Sequence, residues 1–249
     1  MTPRQAIELF HLQFLRVLMS GPDKRHFVVK GGCNLRFFHG SVRYSEDLDL
    51  DVETTAPATL RNKVDRILTA GPLPQLLASR EIRIASQTAP KQTDTTQRWK
   101  IALGMPGSAG PLPTKIEFSR RGVDADRLLE AVSGSIAQEH GIAPPLVVHY
   151  GRVAAFRQKV SALVGRTEVQ ARDVFDLHLL ASRLPPEERP SIARDTVDRA
   201  VARVLDITYD EYAGQVVAYL EPDHQALHES VETWEQMQMD LIGALETLP

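Results

Sequence analysis

Residues 47–52 read Asp-Leu-Asp-Leu-Asp-Val, a strict alternation of carboxylate and aliphatic side chains. Side chains on a strand point to opposite faces in turn. Asp47, Asp49 and Asp51 therefore share one face, and Leu48, Leu50 and Val52 share the other. Three carboxylates on one face repel each other unless water or a cation screens them. A hard divalent ion such as Mg²⁺ is bound by one or two carboxylates together with substrate phosphates, and a pair of such ions can steady both the attacking and the leaving oxygen of a displacement. The same alternation also describes an exposed edge strand with a polar outer face, and the D-x-D spacing alone does not separate the two.

The neighbouring residues supply what such a centre needs to be held in place. Phe27–Val29 reads as a strand end, Lys30-Gly31-Gly32 as a turn with no Cβ at two positions, and Cys33–His39 as a short helix with Leu35, Phe37 and Phe38 for a core. A backbone without Cβ can pass close to a ligand. Upstream, Thr2–Ser20 carries Ile7, Phe10, Phe14 and Val17 at helical spacing and ends at Gly21-Pro22-Asp23. Downstream, Thr59–Ala70 reads as a helix that closes at Gly71-Pro72. Residues 80–86, 97–103 and 114–119 read as strands, and Trp99, Ile101 and Leu103 share one face. Thr88–Thr96 is polar and contains Pro90, so a loop is expected there, and Met105–Pro113 is a Gly- and Pro-rich turn. On the last strand Glu117 shares a face with Lys115 and Ser119 and is open to pairing with Lys115 or Arg120. Asp124–Val132 is expected to begin a helical part, Gly134–Pro145 to be a linker, and Leu146–Val148 to be a short strand at the sheet edge.

A second chemically interesting stretch runs from Arg152 to Leu180. Ala155, Phe156, Val160, Leu163 and Val164 form a helical stripe. Lys159 lies on its flank, with Arg152 and Arg166 each seven residues away, close to two helical turns. Such a basic row suits a triphosphate. A second helix starts near Gln170, where Arg172 and Asp176 stand four residues apart and could pair on the surface. Three more helical segments are expected: one opening at Pro185–Arg189 and running to Leu205, one over Tyr209–Leu220, and one from Glu221 through Leu245.

The composition, 43% hydrophobic and 24% charged, is that of a globular chain. No apolar run approaches the ~20 residues that span a bilayer, and the N-terminus lacks a signal-peptide layout, so no membrane partner is expected. One cysteine, Cys33, excludes an internal disulfide and a multi-cysteine zinc site, which makes the cytoplasm the default compartment. The net charge of −3 conceals an asymmetry. Lys91–Arg121 holds six basic residues against Asp94 and Glu117, whereas ten acidic residues and no Lys or Arg follow Arg203. A polyanion would favour the middle of the chain. The acidic end is equally explained as a solvated helical face.

The segment from Gly31 to Leu50 contains Gly31-Gly32, Leu35, Gly40, Arg43 and Ser45-Glu46-Asp47-Leu48-Asp49. It resembles the first motif of the polymerase β-like nucleotidyltransferases and, more narrowly, of the AbiEii/AbiGii toxin family. Lys115-Ile116-Glu117-Phe118-Ser119 is similar to that family's second motif. Lys159, Ala162-Leu163, Arg166, Arg172-Asp173 and Asp176-Leu177 are similar to its third block. One departure is Gln158, where family members often carry glutamate before the lysine.

The resemblance implies an α+β fold. Residues 1–148 would form a nucleotidyltransferase-like mixed β-sheet with flanking helices, and residues 149–249 a helical bundle that completes the cleft. It implies Mg²⁺ on Asp47 and Asp49, with Glu117 as a third ligand. Gly31 and Gly32 would present backbone amides to the β- and γ-phosphates, with Ser45 and Lys30 beside them. Lys159 and Arg166 would neutralise the triphosphate, with Asp173 orienting Lys159 or the acceptor. The reaction would be in-line attack at the α-phosphate, driven by positioning and electrostatics. The family resemblance further implies an NTP substrate, a tRNA 3′ end as acceptor, a block of translation and a cognate antitoxin. A protein or small-molecule acceptor and a non-catalytic nucleotide-binding module remain alternatives.

Overall fold

A computed structural model describes residues 1–249. The chain divides into two compact units, Met1–Phe38 with Tyr44–Tyr150, and His39–Arg43 with Gly151–Pro249.

The first unit is built on a seven-stranded mixed sheet. Its strands are β1 (Phe27–Lys30), β2 (Asp47–Val52), β3 (Arg83–Gln92), β4 (Thr96–Gly104), β5 (Leu112–Ser119), β6 (Arg127–Ala131) and β7 (Leu146–Tyr150). Their spatial order is β3-β4-β5-β2-β1-β7-β6. β2 runs parallel to β5 and β1 parallel to β7, and the other pairs are antiparallel. The helices of this unit are α1 (Pro3–Leu18), α2 (Gly31–Phe38), α3 (Pro57–Thr69), α4 (Leu73–Ala78) and α5 (Gly134–Glu139). Thr2 caps α1, accepting from the Gln5 amide while the Gln5 side chain accepts from the Thr2 amide, so two otherwise orphaned donors are satisfied.

The alternation of β2 decides which face packs. Leu48, Leu50 and Val52 join Phe10 and Phe14 of α1, Leu60 and Val64 of α3, Trp99 and Ile101 of β4, and Ile116 and Phe118 of β5 in one core. Burying each such side chain stabilises by ~1.5–3 kcal/mol. The carboxylates are thereby directed to the opposite face of the sheet.

Several local expectations are corrected. Gly31-Gly32 is not a free turn: Gly31, at φ +66°, lies directly between β1 and α2 and opens the helix. The segment expected as a loop around Pro90 is the second half of β3. The register shifts by one residue between Thr88 and Lys91, so Pro90 falls in a bulge of an edge strand, where a missing amide donor is tolerated. Residues 127–131 form strand β6 rather than a helix, with every residue exposed at the sheet edge. Because β6 pairs with β7, β7 lies inside the sheet and not at its edge. The expected linker contains α5.

The second unit contains α6 (Arg152–Gly165), α7 (Ala171–Arg183), α8 (Arg194–Leu205), α9 (Tyr209–Gln215), α10 (Pro222–His228) and α11 (Val231–Glu246). Helix α7 packs on α6, α9 and α11, and α8 packs on α6 and α11. Trp234 stacks on Tyr212 with ring centroids 4.4 Å apart, and Met237, Leu241 and Leu245 continue that buried stripe. The expected helix from Pro185 starts only at Arg194, after a 3₁₀ turn at Pro186–Glu188. The expected helix over Tyr209–Leu220 ends at Gln215 and gives way to a 3₁₀ turn at Val217–Tyr219. The expected last helix is two, because the Ser230 side chain accepts from the Thr233 amide and starts α11 anew. No helix of the structure is long and apolar enough to cross a membrane.

Leu50→Ala should lower the unfolding free energy by about 2–5 kcal/mol, read from urea denaturation. Leu128→Ser, on the exposed β6, should change it by no more than about 0.5 kcal/mol.

Candidate active site

The pairing register lines up the charged side chains in two rows across the sheet. Lys30 of β1, Asp49 of β2, Glu117 of β5 and Arg98 of β4 are register partners in sequence. Asp47, Lys115 and Lys100 form the adjacent row. Directly opposed residues share a face, so these groups stand side by side on the face away from the core.

The three carboxylates of β2 are treated differently. Asp51 is buried and accepts from Lys30 Nζ at 2.5 Å and from the Tyr150 hydroxyl at 2.7 Å. Burial, together with the bond to Asp51, pushes the Tyr150 phenol upward, so it stays a donor. Asp47 accepts from Lys115 Nζ at 2.6 Å. Asp49 forms no hydrogen bond or ion pair of its own. Burial raises its carboxyl above the ordinary range, and the Asp47 and Glu117 charges add to that effect, against the opposing pull of Lys115 and Lys30. A Cβ at Gly31 would lie 3.1 Å from Asp49 Oδ2, so the glycine that opens α2 also leaves room for this carboxylate.

The start of β2 is fixed from behind. The Ser45 hydroxyl donates to the Asp47 carbonyl at 2.8 Å, and the Cys33 thiol lies 3.3 Å from the same oxygen. The Thr114 hydroxyl donates to the Glu46 carbonyl at 2.7 Å. It therefore accepts from His11 Nε2, 2.8 Å away, which leaves Nδ1 facing Cys33 Sγ at 3.6 Å. Burial pushes His11 down to about 4, so the ring is neutral at neutral pH. Burial pushes the Cys33 thiol well up, which makes it a packed thiol rather than a nucleophile.

The donor set suits a hard cation in part. Asp47 and Asp49 stand two residues apart on one strand face, and the latter has no hydrogen bond or ion pair. Glu117 is the register partner of Asp49, but Arg98 Nε binds its carboxylate at 2.6 Å. Asp47, Asp49 and Glu117 stand side by side across β2 and β5 without converging as a three-ligand group. The pair Asp47 and Asp49 remains, the number of carboxylates that Mg²⁺ commonly takes from protein.

The second unit has its own charged centre. Lys159 Nζ donates to Asp173 Oδ1 at 3.1 Å and to Asp176 Oδ2 at 2.6 Å. Arg166 Nε lies 2.6 Å from Asp173 Oδ2, and Arg43 Nη2 donates to Asp176 Oδ2 at 3.0 Å. Both aspartates are fully buried. Burial pushes Asp176 up, but Arg43 and Lys159 outweigh it and hold its carboxyl below the ordinary range. Asp173 lies in the first turn of α7, where the helix dipole favours negative charge.

The surface pair expected between Arg172 and Asp176 is not formed, because Asp176 faces inward. The expected row of three cations on one helix is not formed either. Helix α6 ends at Gly165, Arg166 continues in extended backbone, and Arg152 donates to the Arg183 carbonyl at 3.4 Å. The segment that carries Arg43 is shaped by Gly40, at φ +69°, where a Cβ would lie 2.3 Å from Arg183 Nη1.

The model of the nucleotidyl transferase AbiEii toxin, a type IV toxin–antitoxin system, matches residues 13–247. The chain belongs to the AbiEii nucleotidyltransferase toxin family. It is a nucleotidyltransferase. The family includes an antitoxin partner by its nature as a toxin–antitoxin system. No curated protein matches the chain. Among solved structures, MenT4, a nucleotidyltransferase toxin from Mycobacterium tuberculosis, is 18% identical with a TM-score of 0.61, covering 98% of this chain and 85% of its own. JHP933 from Helicobacter pylori is 20% identical with a TM-score of 0.59, covering 96% and 89%. These likenesses show that the mixed sheet and helical bundle are a nucleotidyltransferase toxin fold.

In this AbiEii-family chain, sequence reasoning overlooked Lys115 as the partner of Asp47 and Tyr150 as the partner of Asp51 in the first unit, and Arg43 and Asp176 as part of the Lys159 centre in the second. Arg43 was legible only as a letter of the first motif. Lys115 could have been found from its period-two relation to Glu117.

Two substitutions should move stability in opposite directions. In metal-free protein, Asp49→Asn should raise the thermal midpoint at pH 7, since it removes a carboxylate whose ionised form the fold disfavours. The folded carboxyl is raised, so the native state gains its proton first as pH falls. The advantage of the variant should therefore shrink on acidification. Asp176→Asn should cost about 3–5 kcal/mol at pH 7, as loss of one partner from a buried pair does. The folded carboxyl is lowered, so this difference should persist above the ordinary aspartate range and close as pH falls below about 4. Thermal melts across pH, with chelator present, read both.

Proposed function

We propose that this AbiEii-family enzyme transfers a nucleoside monophosphate from an NTP to an RNA acceptor, the tRNA 3′ end, with Mg²⁺ bound by Asp47 and Asp49, and so blocks translation. The observation that carries this reading is Asp49, a half-buried carboxylate without a partner between Asp47 and Glu117. Such a group is costly unless a cation arrives.

The ion, when bound, supplies positive charge to the phosphates during the displacement. Lys115 holds Asp47 in its rotamer, and the Ser45 and Cys33 contacts hold the carbonyl of the same residue. Gly31 and Gly32 begin α2, whose first amides have no partner within the helix and suit phosphate oxygens. Lys30 is spent on Asp51, and so fixes the neighbouring carboxylate instead of reaching for phosphate. Ser45 has the same positioning role through Asp47. Lys159 has three N–H donors, of which two are bonded to Asp173 and Asp176. The third serves a phosphate oxygen. Arg166, anchored by Asp173 and partly exposed, stands beside Lys159 as a second cation for phosphate. Asp173 thus acts as a positioning residue for both cations.

The acceptor hydroxyl loses its proton to solvent and forms a new bond to the α-phosphorus, the bridging bond to the β-phosphate breaks, and pyrophosphate leaves. Fixed charges aimed at that phosphorus carry the catalysis. The basic stretch Lys91–Arg121 supports RNA over a small acceptor.

Incubation with Mg²⁺, total tRNA and each α-labelled NTP should give labelled tRNA with one preferred nucleotide. Asp49→Ala should lower the rate by at least about a hundredfold. Label on protein instead of RNA, or a wild-type rate in Asp49→Ala, would refute the reading.

A further inference from the structure

The charged rows do not stop at the carboxylates. Continued across the sheet, the row of Asp47 passes through Lys115 and Lys100 to Thr88, and the row of Asp49 passes through Glu117 and Arg98 to Lys91. All of these residues stand on the face that carries Asp47 and Asp49, since each is a register partner of the last. At about 4.8 Å per strand, Lys91 and Lys100 lie about 10–15 Å from β2 along the sheet.

Between Arg83 and Ser119 the chain has five cations, Arg83, Lys91, Arg98, Lys100 and Lys115, against Asp94 and Glu117. Two of the cations are engaged, Arg98 with Glu117 and Lys115 with Asp47. Lys91 and Lys100 have no ion pair. Lys100 is exposed and Lys91 half-buried. The opposite end of the same face is different. There β7 and β6 present Val148, Tyr150, Leu129 and Ala131, and their one cation, Arg127, pairs with Glu53 at 2.9 Å. Lys30 and Arg127 on that side are both paired with carboxylates, so unpaired positive charge leads away from β2 toward the β3–β4 hairpin.

We infer that the outer face of the β3–β4 hairpin is the track for the phosphate backbone of the RNA acceptor, with Lys91 and Lys100 as its phosphate contacts. This rests on the RNA-transfer reading above and assigns the surface that serves it. The charge pattern is that of a backbone contact, without a sequence-reading role: ammonium groups are point charges without the fork geometry that recognises a base edge. The bulge between Thr88 and Lys91 shifts the alternation by one residue and so sets Lys91 on this face. Without the inserted residue, Pro90 itself would oppose Arg98.

The test is tRNA binding and labelling by wild type, Lys91→Gln/Lys100→Gln and Lys91→Arg/Lys100→Arg, over a range of salt. In the Gln variant the slope of log K against log salt should become shallower by about 1.5–2. The KM for tRNA should rise at least about fivefold, while the KM for NTP and the thermal midpoint stay unchanged. The Arg variant should behave as wild type. An unchanged slope and KM in the Gln variant, with wild type still labelling tRNA, would overturn the track and leave the transfer reading standing. Wild type that neither binds nor labels tRNA would overturn both. Competition by polyglutamate as strong as by tRNA would overturn RNA as the occupant.

Discussion

Electrostatic repulsion among the carboxylates of β2 is the constraint around which the first unit is arranged. Period-two spacing puts Asp47, Asp49 and Asp51 on one face, and the hydrophobic demand of Leu48, Leu50 and Val52 prevents the strand from turning over. The fold answers with graded neutralisation. Asp51 receives a cation and a phenol, Asp47 receives one lysine, and Asp49 receives no direct partner, only the more distant pull of Lys115 and Lys30. The gradient concentrates the unmet charge at one residue, directly beside the glycine that begins α2. A cation bound beside Asp47 and Asp49, as proposed, would relieve that unmet charge.

The supporting shell is as specific as the carboxylates. Ser45, Cys33 and Thr114 hold two consecutive carbonyls at the start of β2, and a buried neutral His11 backs the Thr114 hydroxyl. These groups come from α1, α2, the loop before β2 and β5, so the position of Asp47 is tied to four separate parts of the unit. The second unit repeats the logic with reversed emphasis. Two fully buried aspartates hold three cations, Arg43, Lys159 and Arg166, and the surplus is positive. A buried carboxylate with several cationic partners keeps its charge and fixes side chains that would otherwise be mobile.

Much of this was legible from the chain alone, and the reason is periodicity. The alternation of β2 gave the shared face, and the aliphatic half gave the core. The apolar stripes gave α1, α3, α6 and α11 for the same reason. What failed were places where composition competes with pairing. Pro90 suggested a loop, but a bulge in an edge strand accommodates it. Asp124–Val132 reads as the beginning of a helical part, but backbone pairing with β7 makes residues 127–131 a strand although none of its side chains is buried. Partners were less legible than elements. Asp176 lies four residues from Arg172, and only the fold reveals that Lys159 and Arg43, 17 and 133 residues away, are its partners.

The central claim is that Asp49 is left without a partner because it binds a divalent ion together with Asp47. Titration of Mn²⁺ into the protein with a non-hydrolysable NTP, followed by electron paramagnetic resonance, tests it directly. The account predicts an immobilised Mn²⁺ signal in wild type that disappears in Asp49→Asn and survives in Glu117→Gln. The same signal in wild type and in Asp49→Asn would contradict it.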